Sequence, residues 1–116
     1  MTIRVLLVED DTAMLDVTAK VLRHSGHEVI VASGMTDALE AAERQKCDVL
    51  VTDLRLSDGN GVALARELQS RHDLPAIALS GAAPDEYEGA ATLFATYLLK
   101  PVSVEALVTA IREACR

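Results

Sequence analysis

The side chains best suited to catalysis or metal binding are four carboxylates at the ends of two short apolar runs. We call the carboxylate or carboxylates at each end a cluster. Glu9, Asp10 and Asp11 directly follow one apolar run of strand length, and Asp53 ends another. Ligands of open parallel sheets bind outside the carboxyl ends of the strands, so a carboxylate at such an end is a candidate reactive group. The alternative is that these side chains cap turns or the helices that follow them, which is a common role for Asp. The choice depends on whether the two clusters meet in space.

The apolar pattern predicts five strands that alternate with five helices. The predicted strands are residues 3–8, 28–32, 49–52, 75–80 and 96–99. The predicted helices begin at Thr12, Thr36, Val62, Pro84 and Ser103. On the first helix, an apolar face is predicted from Met14, Val17, Val21 and Leu22. The segment that begins at Pro84 is the weakest, because Gly89 interrupts it and its apolar stripe is thin.

Alternating strands and helices predict an α/β fold with a parallel sheet between two layers of helices. Right-handed crossovers restrict the topology, and the expected strand order of this doubly wound, three-layer fold is 2-1-3-4-5. The topological switch point then falls between the first and third strands. That geometry brings Glu9, Asp10 and Asp53 together, so the two clusters are predicted to form one acidic site.

The composition limits the class of protein. The 116 residues are enough for one domain, predicted to span 1–116, and with 50% hydrophobic but only 3% aromatic residues its core must be aliphatic. A net charge of −7 argues against nucleic-acid binding. No apolar run reaches the roughly 20 residues of a membrane span. Met1-Thr-Ile-Arg leads straight into the first predicted strand, so a signal peptide is not expected. Cys47 and Cys115 lack metal-ligand spacing, so reduced thiols and a cytoplasmic location are expected.

Three carboxylates in one site must take up protons or bind a cation, because two of them about 4 Å apart repel by roughly 4 kcal/mol at an effective dielectric constant of about 20. Oxygen ligands favour Mg²⁺ over zinc. Ser80 and Lys100 end the fourth and fifth predicted strands at the same edge of the sheet. A hydroxyl and an ammonium opposite a metal-bound carboxylate suit a phosphoryl group, with Asp53 as the nucleophile that forms an acyl phosphate.

Each of these side chains also has an ordinary structural explanation. Asp10 or Asp11 would cap the first helix, and Ser80 would cap or bond to its own backbone. Lys100 would be a solvated charge at a strand end. These explanations weaken together, since independent caps are not expected to converge on one edge of one sheet.

The chain resembles the response-regulator receiver domains of two-component signalling. The resemblance covers the whole sequence and rests on four motifs in order, which are Val8-Glu9-Asp10, Asp53-Leu-Arg-Leu with Gly61 eight residues after the Asp, Leu79-Ser80-Gly81, and Tyr97-Leu-Leu-Lys100-Pro101. Each motif is modest alone, but their order and spacing are specific in combination.

The resemblance implies a role for each site residue. Asp53 would be the phosphoacceptor, Asp10 a direct Mg²⁺ ligand, Glu9 a ligand acting largely through water, and the backbone carbonyl of Arg55 the third protein ligand. The implied partners are a sensor histidine kinase or a histidine phosphotransfer protein, and a downstream effector.

The resemblance also implies a switch. Ser80 would turn toward the phosphoryl group, Lys100 would pair with it, and Tyr97 would move inward into the space that Ser80 leaves. The Lys100–Pro101 peptide bond would be cis. From the residues alone, Tyr97 reads as an ordinary amphipathic strand residue.

Two departures from the family pattern are visible. Ser57 stands where the family usually has Pro, which predicts a slightly looser loop. The segment 81–96 is about two residues shorter than usual and has Phe94-Ala95-Thr96 in place of the small-residue signature before the last strand. A short or irregular fourth helix is therefore expected.

The favoured function is a phosphorylated switch that catalyses only its own phosphorylation and dephosphorylation, and is not otherwise an enzyme. Three other functions are alternatives to it. A phosphatase of the haloacid-dehalogenase type needs a second Asp two residues past the nucleophile, where this chain has Arg55. A flavin-binding module needs a phosphate loop rich in Ser, Thr and Gly after the first strand, where this chain has carboxylates. A receiver-like module that is never phosphorylated does not need the full set of site residues. This chain has the full set, which argues against that alternative.

Overall fold

Within the residues that the structure describes, five parallel strands form one sheet. The computed structural model of the chain describes residues 2–81 and 90–115. The strands are β1 Arg4–Val8, β2 Glu28–Ala32, β3 Val49–Asp53, β4 Ala76–Ser80 and β5 Thr96–Leu99. Their order is β2-β1-β3-β4-β5, and every neighbouring pair is parallel. The predicted α/β fold class and strand order are confirmed.

Helices cover both faces of this sheet. They are α1 Thr12–His24, α2 Met35–Arg44, α3 Gly61–His72, α4 Ala90–Leu93 and α5 Val104–Ala114. The buried residues of α1 and α5 pack with one set of strand residues, whereas those of α2 and α3 pack with the opposite set. No helix in the described part of the chain is long and apolar enough to cross a membrane.

The core is aliphatic, as the composition predicts. Successive residues of β1 point to opposite faces, so Leu6 and Val8 belong to one core cluster and Val5 and Leu7 to the other. Phe94 is the only aromatic residue among the buried residues of the described chain. A sheet covered on both faces explains why its strands read as nearly continuous apolar runs.

Side chains cap three of the helices at the edge of the sheet where β1, β3 and β5 end. Asp11 accepts hydrogen bonds from the backbone N–H groups at the start of α1, Asn60 does the same for α3, and Ser103 for α5. Asp11 is therefore the cap of α1, which leaves the carboxylate of the preceding Asp10 for another role.

The predicted apolar face of α1 is only partly correct. Leu15, Ala19 and Leu22 are the buried residues of this helix. Met14 and Val17, which the apolar pattern placed on its buried face, are 49% and 56% exposed. The apolar stripe of α1 is wider than the area that the sheet covers, so part of it remains on the surface beside the start of α5.

The prediction of a short or irregular fourth helix concerns a segment that includes residues 82–89, which lie outside the described residues. In the described part, α4 spans four residues, Ala90–Leu93. The buried Phe94 follows, and then β5 begins at Thr96.

Candidate functional site

The register of the sheet places three acidic side chains at one edge. Val8 pairs with Thr52, so the next residues along β1 and β3, Glu9 and Asp53, are level with each other. One ligand oxygen from each of Glu9, Asp10 and Asp53 can be chosen so that all three lie within 4.8 Å of one another. The predicted meeting of the two carboxylate clusters is therefore present in the structure.

The same register carries two further polar residues to this edge. Asp53 pairs with Leu79, so Ser80 lies one residue beyond the level of Asp53. Ser80 in turn pairs with Leu99, so Lys100 lies one residue beyond the level of Ser80. Ser80 is buried, with 6% of its surface exposed. The Lys100–Pro101 peptide bond that follows β5 is cis.

Lys100 provides the positive charge of the site. Its Nζ atom lies 2.6 Å from Asp53 Oδ1 and 3.5 Å from Glu9 Oε2. Asp53 Oδ1 is buried, and the Lys100 ammonium is its close charged partner. Lys100 thus bridges two of the three carboxylates by Coulomb attraction.

Burial raises the pKa of Asp53 above its ordinary value of 3.8, and the contact with Lys100 partly opposes that rise. The Asp53 side chain is only 8% exposed. A buried carboxylate that is stabilised by one ammonium retains an oxygen with spare capacity for a metal ion or a phosphorus atom.

These side chains line a pocket of about 520 Å³ that opens at the carboxyl ends of the strands. Its walls include every residue predicted for the phosphoacceptor and metal site, together with Leu54, Leu79 and Gly81. Arg55 is exposed and belongs to this wall. Tyr97, the predicted switch residue, lies outside the wall.

The loop after Asp53 is more ordered than its sequence predicts. Arg55–Leu56 and Gly59–Asn60 pair as a small antiparallel ladder. The backbone N–H of Gly61 donates to the carbonyl of Leu54 over 2.9 Å, and Thr52 Oγ1 donates to the carbonyl of Asp53 over 2.8 Å. A Cβ atom at Gly61 would overlap the carbonyl oxygen of Asp53, so glycine is required there by close backbone approach.

Asp58 has a role that sequence reasoning missed. Its carboxylate accepts hydrogen bonds from the backbone N–H groups of Met35, over 2.7 Å, and Thr36, over 3.0 Å. These hydrogen bonds lower the pKa of Asp58 below its ordinary value of 3.8. An Asp in a Gly-rich turn signals a cap, but the sequence does not show which helix it caps.

Tyr97 lies on β5, beside Ala78 of β4. It is half-buried, and its ring meets that of Phe94 edge-on, with centroids 6.5 Å apart and an angle of 81° between the planes. The Tyr97 side chain therefore joins the core cluster on the α2 and α3 side of the sheet.

The donor set fits a hard divalent cation. Glu9, Asp10 and Asp53 offer carboxylate oxygens and no nitrogen or sulfur ligand, which is the preference of Mg²⁺. Lys100 balances only part of their charge. The cluster therefore has both the chemistry and the remaining charge to hold such an ion.

The sequence model of the response regulator receiver domain family matches residues 5–112. The chain belongs to this family. It is thus a receiver domain of two-component signalling, and the acidic pocket lies at the carboxyl ends of the strands of that fold.

Curated relatives agree with this assignment. This receiver domain is 32% identical over 112 residues to the transcriptional regulatory protein GlrR of Escherichia coli K12, covering 94% of the chain and 25% of GlrR. It is 31% identical to the probable transcriptional regulatory protein TcrX of Mycobacterium tuberculosis, over 98% of the chain and 50% of TcrX. The chain therefore spans only a quarter to a half of the length of these relatives.

A solved structure shows the same fold. The CheY-like response regulator receiver domain from Methylobacillus flagellatus is 28% identical to this receiver domain and superposes with a TM-score of 0.89. The match covers 98% of this chain and 99% of that chain.

Proposed function

We propose that this receiver domain accepts a phosphoryl group on Asp53 from a phosphohistidine of a sensor kinase or a histidine phosphotransfer protein. The observation that carries the proposal is the buried Asp53 carboxylate, 2.6 Å from the Lys100 ammonium and beside two further carboxylates. Residues 1–116 would act as one phosphorylation-dependent unit in the cytoplasm, and the unit would catalyse only its own phosphorylation and dephosphorylation.

In this transfer, a carboxylate oxygen of Asp53 attacks the phosphorus atom, and the phosphorus–nitrogen bond of the phosphohistidine breaks. The bonding electrons stay on the ring nitrogen that carried the phosphoryl group. A proton taken from solvent on the other ring nitrogen lets the imidazole leave as the neutral ring. Lys100 keeps Asp53 in its ionised, nucleophilic form despite burial, and then pairs with a phosphoryl oxygen.

Glu9, Asp10, Asp53 and the backbone carbonyl of Arg55 would hold Mg²⁺. When bound, this ion would neutralise negative charge on the phosphoryl oxygens. The chain's own residues orient the acceptor. Thr52 Oγ1 donates a hydrogen bond to the carbonyl of Asp53, and Gly61 leaves room for that carbonyl.

An apolar groove beside the pocket supports docking of the phosphodonor. It has a volume of about 500 Å³ and runs between α1 and the start of α5. Its walls include the exposed Met14, Val17 and Val104, and it shares Leu79 and Lys100 with the acidic pocket. A partner that covers this groove would place a histidine at the entrance to Asp53.

The response to phosphorylation would pass through Ser80 and Tyr97 to a downstream effector. Ser80 is buried at the pocket wall. Tyr97 lies on the neighbouring strand, where it pairs with Ala78, two residues before Ser80. A phosphoryl group that draws the Ser80 hydroxyl inward would change the space available to the Tyr97 ring. Tyr97→Ala should leave phosphorylation of Asp53 intact and abolish phosphorylation-dependent effector binding. Unchanged effector binding in this variant would show that Tyr97 does not transmit the response.

The proposed function is tested by intact mass after incubation with acetyl phosphate and Mg²⁺. Wild type should gain one phosphoryl group, and the gain should be lost in Asp53→Ala and in the presence of a chelator. Asp16→Asn, which removes an exposed carboxylate from α1, is the matched control and should be phosphorylated like wild type. Absence of the gain with acetyl phosphate and with a panel of phosphorylated kinases would overturn the proposal.

A further inference from the structure

The N-terminus of α2 is capped by a side chain from another part of the chain. Gly34 is the N-cap residue and has no side chain to satisfy the first N–H groups of the helix. Asp58, from the loop between β3 and α3, supplies both oxygens instead, Oδ1 to Met35 and Oδ2 to Thr36. A carboxylate at this position also interacts favourably with the positive end of the helix dipole.

The two segments are in close contact on both sides of these hydrogen bonds. A Cβ atom at Gly34 would come within 2.7 Å of Asp58 Oδ1, so a larger residue there would push the carboxylate away from the start of α2. A Cβ atom at Gly59 would come within 2.6 Å of Met35 Sδ. The start of α2 and the tip of the loop therefore pack closely at two glycines, where a larger residue would displace the Asp58 or Met35 side chain.

The loop transmits this attachment to the acidic pocket. Leu56 pairs with Gly59 and Arg55 with Asn60, so the ladder runs from the tip of the loop down to Arg55 in the pocket wall. At its base, the hydrogen bond from Gly61 to Leu54 closes the loop directly after Asp53. Asp58 thus holds the far end of a short, internally bonded unit whose near end lines the site.

We propose that Asp58 is a positioning residue for the metal site, which acts by fastening the Arg55–Asn60 ladder to the N-terminus of α2 and so fixing the backbone carbonyl of Arg55. The inference rests on the metal site of the proposed function. It adds a residue outside the pocket wall to the group that determines cation affinity.

The coupling must be reciprocal. If the attachment of Asp58 to α2 favours cation binding, then cation binding favours the attachment by the same free energy. Occupation of the metal site should therefore protect the amide hydrogens of Met35 and Thr36 from exchange, although neither residue lines the pocket.

The test compares Mg²⁺ affinity, measured by calorimetry, in wild type, Asp58→Ala, Asp58→Asn and Asp37→Ala. Loss of an outer residue that orients metal ligands lowers affinity by about 10-fold to 100-fold. We expect about a 10-fold loss for Asp58→Ala and a smaller loss for Asp58→Asn, which keeps one acceptor oxygen.

Asp37→Ala is the matched control. It removes a carboxylate from the first turn of the same helix, where Asp37 accepts a hydrogen bond from Ser33 Oγ, and it changes the net charge equally. We expect its Mg²⁺ affinity to stay close to that of wild type. Equal losses in Asp37→Ala and Asp58→Ala would show that charge or helix stability is responsible, which would overturn the inference.

Amide exchange at Met35 and Thr36 gives the second readout. Protection should rise with Mg²⁺ in wild type, and this increase should be absent in Asp58→Ala. If wild type binds Mg²⁺ but Asp58→Ala binds it equally well, the positioning role is wrong and the proposed function stands. If wild type binds no Mg²⁺, the metal site of the proposed function fails, and the inference fails with it.

Discussion

Lys100 Nζ lies 2.6 Å from Asp53 Oδ1, although β4 separates the strands that carry these two residues. The long side chain of Lys100 reaches across the end of β4 to the acceptor carboxylate. The receiver domain therefore contains its own cation for Asp53, and this cation also lies 3.5 Å from Glu9. The stability of the protein without metal should depend on this contact.

We predict that Lys100→Met destabilises the metal-free protein. Removal of the ammonium leaves Asp53 and Glu9 without a counter-charge, and because Lys100 is partly exposed the cost should be about 1 to 2 kcal/mol of unfolding free energy. Urea denaturation with a chelator present would measure it. Mg²⁺ should restore more stability to the variant than to wild type, because it supplies the missing positive charge.

Lys20→Met is the control for this measurement. Lys20 pairs with Asp16 over 2.9 Å, but both side chains are well exposed, at 72% and 62%. Loss of such a pair should change the free energy of unfolding by less than about 0.5 kcal/mol. Equal losses in the two lysine variants would contradict the bridging role of Lys100.

The fold and the composition of the site could be predicted from the sequence because their signals are local. Each strand is a short apolar run, and each residue of the phosphoacceptor and metal site ends one or lies within three residues of its end. The expected strand order is therefore enough to bring them together. The 2.6 Å reach of Lys100 to Asp53 and the attachment of Asp58 to α2 depend on side-chain direction and loop path. Neither has a signature in residue spacing.

The error on α1 has a similar origin. Met14 and Val17 match a helical apolar pattern as well as Leu15 and Ala19 do, but the sheet covers only one side of the helix. Periodicity identifies an amphipathic helix, and it does not say how wide a stripe its neighbours will cover.

We predict that the free energy of unfolding of Asp53→Asn, relative to that of wild type without metal, increases as pH rises. The pKa of Asp53 is raised above 3.8 in the folded state, so its ionisation costs more when folded than when unfolded. This penalty is absent well below pH 3.8, develops as pH rises toward the folded pKa, and is complete above it. The uncharged Asn escapes the penalty.

Urea denaturation from about pH 3 to pH 7, with a chelator present, would measure this difference between Asp53→Asn and wild type. A difference that stays constant across this range would contradict the raised pKa. Saturating Mg²⁺ at pH 7 should reverse the order, because the cation stabilises the protein that retains all three carboxylates more than it stabilises the variant.

Asp58→Asn should show the opposite pH dependence. The pKa of Asp58 lies below 3.8 in the folded state, because the N–H groups of Thr36 and Met35 stabilise the carboxylate. Its contribution to stability is complete above pH 3.8 and is lost as pH falls through the folded pKa. Wild type should therefore exceed Asp58→Asn in stability at pH 7, and the difference should shrink on acidification. A difference that grows toward low pH would contradict the capping role.

Gly61→Ala should be strongly destabilising. The added Cβ would overlap the carbonyl oxygen of Asp53, which is a backbone atom and cannot turn aside as a flexible side chain can. Such overpacking should cost about 2 kcal/mol of unfolding free energy.

Gly81→Ala is the matched control, because no described atom lies within 4 Å of a Cβ built at Gly81. Its free energy of unfolding should stay within about 0.5 kcal/mol of wild type. Thermal or urea denaturation of both variants would distinguish a need for close approach at Gly61 from a general preference for glycine.

The position of Lys100 directly after β5 also affects how the domain folds during its synthesis. A chain that leaves the ribosome presents β1 and β3 before β5 has been synthesised, and a domain generally folds as a unit. During that interval the carboxylates of Glu9 and Asp53 lack the ammonium that offsets them in the finished protein. Their repulsion opposes early docking of the first three strands, so arrival of β5 completes both the sheet and its charge balance. We expect this domain to fold late in its own synthesis, after Lys100 has emerged and can offset the charge of Glu9 and Asp53.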